Sequence, residues 1–121
     1  MIEANELRIG NWVNIKVEGK DGTFDGNYQI EEIRKDVILF NNGIHAAYRM
    51  LYPIPLTEER LLKCGFERYS GVKMRKEGFG FIGQISGLFF YWSKRELEIS
   101  SLHQLQNLYF ALVGKELEVK L

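Results

Sequence analysis

From Ser101 to Val113 the apolar residues recur at helical spacing between a clear start signal and a clear stop signal. Ser101 and Gln104 have the S-x-x-Q spacing of a capping box, and Gly114 supplies the left-handed residue on which helices commonly end. At about 100° per residue, Leu102, Leu105, Leu108, Tyr109, Leu112 and Val113 fall within about 140° of arc, which predicts a core-facing stripe. An adjoining arc holds His103, Gln106, Asn107 and Phe110. The first expectation is that Phe110 packs under a neighbouring strand while the three polar residues are solvated. The alternative makes these four the partner-binding residues, with an aromatic anchor and amides that fix orientation.

A chain that ends on such a helix needs another surface to cover its stripe, and the rest of the sequence reads mostly as strands. Leu7 to Val17 predicts a strand broken at Gly10, with Val13, Ile15 and Val17 alternating against Asn14 and Lys16. Glu18 to Asn27 reads as a glycine-rich turn region, and Tyr28 to Ile33 as a second strand. Val37–Phe40 and Ile44–Met50 flank Asn41-Asn42-Gly43, a hairpin signal. Pro53 and Pro55 force an extended stretch before a short helix, for which Thr57 is the N-cap and Gly65 the stop, and in which Leu56 can staple to Leu61. Strands resume from Tyr69 to Ile99, and the alternation of Leu117, Val119 and Leu121 predicts a short last one. The fold class expected is α+β in a single domain over residues 1–121. It comprises a small curled antiparallel sheet or SH3-like barrel at the N-terminus, a short helix, a second antiparallel sheet region and the C-terminal amphipathic helix.

Composition narrows the function classes. The 121 residues carry 16 basic and 16 acidic side chains, so the basic excess of a general phosphate-binding protein is missing. The single cysteine, Cys64, builds no disulfide framework and fits a reducing compartment. The first residues, Met1 to Glu6, do not read as a signal peptide, and the longest apolar run, Leu88 to Trp92, is too short to cross a membrane. These features predict a soluble, cytoplasmic protein.

Candidate chemistry is sparse. Asp21-Gly22-Thr23-Phe24-Asp25-Gly26 with Glu32 matches most of a calcium loop, but the strand-like segment before it lacks the motif's incoming helix, so a polar hairpin turn is expected and no metal. Gly78-Phe79-Gly80-Phe81-Ile82-Gly83 has part of the pattern of an RNA-recognition strand. Glu77 stands where a basic residue is wanted and Ile85 where an aromatic is, so Phe79 and Phe81 are expected to face inward. Cys64, beside Leu61 and Leu62, reads as a small buried hydrophobe, and it has only His45 and His103 as histidine partners. The pairs Glu31-Glu32 and Glu58-Glu59 do not form a poised acid–base couple: strand neighbours face opposite ways, and the helical pair suits the helix dipole. No enzyme, no catalytic residue and no cofactor is expected.

Three strings add context: Leu7-Arg8-Ile9-Gly10-Asn11-Trp12-Val13, Pro53 through Phe66, and Leu102 through Leu112. Covering about a quarter of the chain, they resemble a family of small proteins from Bacteroidetes genomes, their phages and mobile elements. The resemblance brings no activity and no functional residue. It implies an accessory protein that acts by binding protein, the specific expectation being an inhibitor of a host defence nuclease complex, anti-CRISPR proteins included. The alternative is a module for RNA or single-stranded nucleic acid using Lys73, Arg75, Lys76, Phe79 and Phe81, and a further one is a phage structural or assembly protein.

Overall fold

The computed structural model describes residues 2–20, 22–70, 73–76, 79–84, 87–92 and 95–121; from residue 69 to residue 98 it describes the backbone and the Lys76 side chain. The chain divides into two compact units, Met1–Ile54 and Pro55–Leu121, each built on its own antiparallel sheet.

In the first unit the expected strand at Leu7 starts only at Trp12. Gly10 takes a left-handed φ of 96°, and the buried Asn11 accepts the Arg8 N–H on its side-chain oxygen at 2.8 Å, so Leu7–Asn11 is a turn. Strand β1, Trp12–Gly19, and strand β2, Gly22–Ile33, then pair in unbroken register from Trp12↔Gln29 to Gly19↔Gly22. The glycine-rich stretch expected as an open turn is therefore the distal half of a long hairpin. Gly19 and Gly22 sit at the tip, where Gly22 has a φ of 128°, and Gly26 lies along β2 opposite Ile15.

Beyond Ile15 and Gly26 this hairpin is a two-stranded ribbon, because strand β5, Leu51–Tyr52, meets β1 only at Asn14 and Ile15. On its other side β2 meets strand β3, Val37–Phe40, from Ile30 onward. Between Ile30 and Glu32 the register slips by one residue, a bulge at Glu31. A bulge resets the two-residue alternation, which lets Ile30 and Ile33 both meet the core although they are three positions apart. It also leaves Glu31 and Glu32 both exposed, where plain alternation put them on opposite faces.

The Asn41-Asn42-Gly43 turn forms as expected: Gly43 has φ 83° and donates to the Phe40 carbonyl at 2.9 Å. Strand β4, His45–Ala47, is shorter than expected because Tyr48–Met50 closes into a 3-10 turn. That turn carries the chain back to the free edge of β1, giving the order β4-β3-β2-β1-β5. Four strands are thus sequential neighbours and the last returns beside the first, which makes a small antiparallel sheet. Val13, Ile15, Ile30, Ile38, Phe40 and Leu51 form its core.

In the second unit helix α1, Glu58–Lys63, starts where the sequence predicts: the Arg60 N–H donates to Thr57 Oγ1 at 3.1 Å. It ends in a Schellman motif, with the Gly65 N–H on the Leu62 carbonyl and the Phe66 N–H on the Leu61 carbonyl, both at 3.1 Å. A five-stranded meander follows: β6 Glu67–Ser70, β7 Lys73–Lys76, β8 Phe79–Gln84, β9 Gly87–Trp92 and β10 Arg95–Glu98. Helix α2, Leu102–Val113, closes the unit with the expected Ser101–Gln104 capping box, in which Gln104 Oε1 accepts the Ser101 N–H at 3.3 Å and the Ser100 N–H at 3.1 Å. Beside that cap, the Leu56 N–H donates to the Ser100 carbonyl at 3.0 Å, so the unit's first residues lie against its last helix. The strand expected over Leu117–Leu121 does not form. The tail alternates in burial, with Leu117 covered and Glu118 exposed, but no strand pairs with it among the described residues.

Two glycines with nearly equal φ separate strain from crowding. Gly114, at 84°, has open space where a Cβ would stand, whereas a Cβ on Gly65, at 93°, would come within 2.8 Å of Lys76 Nζ. Gly114→Ala is expected to cost about 1 kcal/mol from the left-handed backbone alone. Gly65→Ala is expected to cost more, since it also displaces the lysine; urea unfolding followed by helical circular dichroism compares the two.

Candidate functional site

Helix α2 is rotated from the orientation its leucines predict. Leu102, His103, Leu105, Gln106 and Tyr109 are buried, an arc displaced by about 60° from the predicted stripe at 100° per residue. Leu108 and Val113 are only half-buried, and Leu112 is 39% exposed. The four residues of the partner-binding arc consequently separate. His103 and Gln106, expected in solvent, are buried; Asn107 is half-buried; Phe110, expected under a strand, is 42% exposed.

What α2 turns outward is a face of Gln104, Asn107, Leu108 and Ala111, flanked by Phe110 and Leu112. The run from Ile99 to Gly114 contains no Asp, Glu, Lys or Arg in a chain that is 26% charged. The outward face of a surface helix is ordinarily where charge concentrates, whereas depletion of charge around an aromatic marks the centre of a protein interface. Leu112 and Ala111 were the residues that sequence reasoning missed. The signal available for them was this charge-free run, not the periodicity, which assigned Leu112 to the core.

The buried side of α2 meets a cation. Lys76, the last residue of β7, donates from Nζ to the Cys64 carbonyl at 2.8 Å and stands 5.8 Å from the centre of the buried Tyr109 ring. Cys64 follows the last helical residue of α1, where carbonyls lack an intrahelical partner, and the lysine supplies one. Its charge also suits the negative end of a helix and the face of an aromatic ring. At the other end of α1, Arg68 on β6 pairs with Glu58 at 2.8 Å. The thiol of Cys64 is 2% exposed, as expected of a small buried hydrophobe. Burial raises its pKa, against smaller lowering effects of a backbone hydrogen bond from Lys120 and of the Lys76 charge. A thiol held neutral and covered is unsuited to nucleophilic work.

The nucleic-acid alternative draws on five positions that the sheet register distributes over two faces. Lys76 pairs with Phe79, and Met74 with Phe81, so Phe79 and Phe81 occupy positions on the Lys76 face. Lys73 and Arg75 occupy the opposite one. The side chains of Lys73, Arg75, Phe79 and Phe81 themselves lie outside the described residues.

The calcium-like string does not form a loop. Asp21 lies outside the described residues, and Gly22 through Glu32 run along β2. At about 3.3 Å per residue, Thr23 and Glu32 stand on the order of 30 Å apart, too far to share one ion. Asp25 accepts from Asn14 Nδ2 at 2.8 Å and faces Lys16 at 3.8 Å. Glu32 is held by Arg34 at 3.0 and 3.4 Å, and this guanidinium keeps its carboxyl below its ordinary pKa. Among the described residues no three His, Cys, Asp or Glu side chains gather as a metal site, and no helix is long and apolar enough to cross a membrane. Comparison with protein families, with curated proteins and with solved structures finds no match to this chain.

Two outcomes follow from the Lys76–Cys64 geometry. Lys76→Met keeps the apolar stem but removes the charged donor, and is expected to destabilise the second unit by about 2 kcal/mol. Because the folded thiol ionises above its ordinary value of 9.0, the unfolded chain loses its proton first as pH rises. The stability the neutral thiol contributes is thus complete below that value and is lost above it. Urea midpoints measured from pH 7 upward should fall more steeply for the natural chain than for Cys64→Ala.

Proposed function

We propose that the protein acts by binding a protein partner, without chemistry of its own, and that the outward face of α2 is the contact. The observation that carries this reading is the exposure of Phe110 and Leu112 on the two flanks of an outward helix face bare of charge. Such a face gives up little hydration when covered, and its aromatic contributes the large apolar area typical of binding hot spots. Asn107 and Gln104, on the same face, supply hydrogen-bonding groups that fix the orientation of what docks there.

The partner proposed is a bacterial defence effector, a CRISPR-type nuclease complex in the first instance, met in the cytoplasm of a bacterial host. This finer reading rests on the resemblance of the Leu7–Val13, Pro53–Phe66 and Leu102–Leu112 strings to proteins of phages and mobile elements. It is tested by titrating the purified protein into a panel of effector nucleases and measuring both complex formation and target cleavage. Inhibition of at least one effector is expected, weakened at least tenfold by Phe110→Ala with Leu112→Ala, a pair whose exposure makes misfolding a minor concern. Binding that survives the double substitution would remove α2 from the contact, and absence of binding across the panel would remove the defence reading.

A further inference from the structure

Of the asparagines in the chain, only Asn42 is followed by glycine. The pair stands in the loop Asn41-Asn42-Gly43 between β3 and β4, and all three loop residues are exposed. Two bonds of 2.9 Å close this loop, the Phe40 N–H on the Ile44 carbonyl and the Gly43 N–H on the Phe40 carbonyl. Asn42 Oδ1 accepts the Ile44 N–H at 3.1 Å, an Asx turn over Gly43. Gly43 has open space where a Cβ would stand, so no neighbouring group crowds that side of the residue. Asn41 is placed differently. Its amide donates to Gln29 Oε1 at 2.9 Å and its N–H to the Gln29 carbonyl at 3.1 Å, and the residue after it carries a side chain.

We infer that Asn42 is a site of self-modification, at which the side-chain amide is lost and the main chain is rewired at Gly43. The step is intramolecular and is no activity on another molecule. The Gly43 nitrogen, its proton given up to hydroxide, attacks Asn42 Cγ and forms an N–Cγ bond. The Cγ–Nδ2 bond breaks, and the amide nitrogen takes a proton from water and leaves as ammonia, which returns the hydroxide. Water then opens the resulting five-membered imide at one of its two carbonyls. Opening at Cγ restores the main chain and leaves an aspartate side chain. Opening at the main-chain carbonyl leaves an isoaspartate, with the chain running through Cβ and Cγ. One water is consumed and one ammonia released, with no change of oxidation state. Glycine matters at the following position because a side chain there would crowd the attacking nitrogen. Freeing that nitrogen takes only a local opening: the Gly43 and Ile44 N–H bonds are released within an exposed loop that leads into an edge strand.

The two products act differently on the hairpin. Aspartate offers the Ile44 N–H the same kind of acceptor as asparagine does. Isoaspartate inserts a main-chain carbon between Phe40 and Ile44, so the loop no longer joins them in register. The pairs next along, Leu39↔His45 and Ile38↔Ala46, then lose their anchor, and β4 loosens from the edge of the first sheet.

The test ages the whole chain at body temperature and mildly alkaline pH, then maps it by tandem mass spectrometry of the tryptic peptide Asp36–Arg49. A gain of one dalton is expected at residue 42 with the Asn41 amide intact, in both aspartyl and isoaspartyl forms, at a rate that rises with pH. Asn42→Ala, which has no amide to lose, should keep its mass. Freshly prepared Asn42→Asp should unfold at the natural urea midpoint. In the isoaspartyl form of the whole chain, separated by chromatography, the amides of β4 should exchange with deuterium at least tenfold faster than in the natural chain. An amide at residue 42 that survives after the free peptide of residues 36–49 has lost its own overturns the inference. So does a gain that maps to Asn41 instead, and an isoaspartyl chain whose β4 exchanges like the natural one overturns the loosening of the strand.

Discussion

One ammonium group organises the second unit. Lys76 Nζ lies within 2.8 Å of the Cys64 carbonyl and over the Tyr109 ring, so a single strand residue joins the end of α1 to the buried side of α2. The geometry is possible only because Gly65 has no Cβ to occupy the space where the lysine passes. The same glycine provides the left-handed residue that ends α1, so one position serves both the helix stop and the lysine's approach. From this contact follows which side of the sheet faces the helices: it is the side on which Lys76 stands.

The first unit depends instead on backbone pairing. Its β1 strand is bonded to β2 along its whole length and to β5 at Asn14 and Ile15, and the buried Asn11 closes the turn that leads into it. The bulge at Glu31 then turns the apolar side of β2 inward on both sides of the irregularity. Polar contacts on the outward side are short and exposed, such as Asn14 to Asp25 and Arg34 to Glu32. Exposed contacts of that kind add little stability, and the buried isoleucines and Phe40 carry the unit.

Signals local in sequence were legible. Thr57 and Gly65, Ser101 and Gly114, and Asn41 through Gly43 all act where short-range chemistry predicts, because caps and turns are satisfied by residues a few positions away. The α+β class followed from the two periodicities. Long-range choices were not legible. Which side of α2 is buried depends on what the unit places against it, and the burial of His103 and Gln106 in place of Leu108 and Leu112 leaves no trace in the period. The cap supplied by Lys76 comes from 12 residues away, beyond the reach of any local motif. The bulge at Glu31 has no mark in the alternation of Tyr28–Ile33, and the glycines of residues 19–26 read as a turn region because glycine marks hairpin tips and loops alike. Of the outward face of α2, the sequence names Phe110 and Asn107 only as the alternative to a buried Phe110, and its periodicity assigns Leu112 to the core, although Phe110 and Leu112 are both exposed.

The ribbon at the end of β1 and β2 has a consequence for how the first unit breathes. Among the described residues, the strands from Lys16 and Asp25 to the tip pair with each other alone, whereas the halves nearer the core are flanked by β3 and β5. Two strands alone are marginal in water, so the ribbon opens by local fluctuation at a free energy well below that of global unfolding. Its amides will therefore exchange with deuterium ahead of those of Val13, Ile15 and Ile30. The unit is in this sense graded along its own longest hairpin, with a tip that opens readily and a base that opens only when the whole unit does.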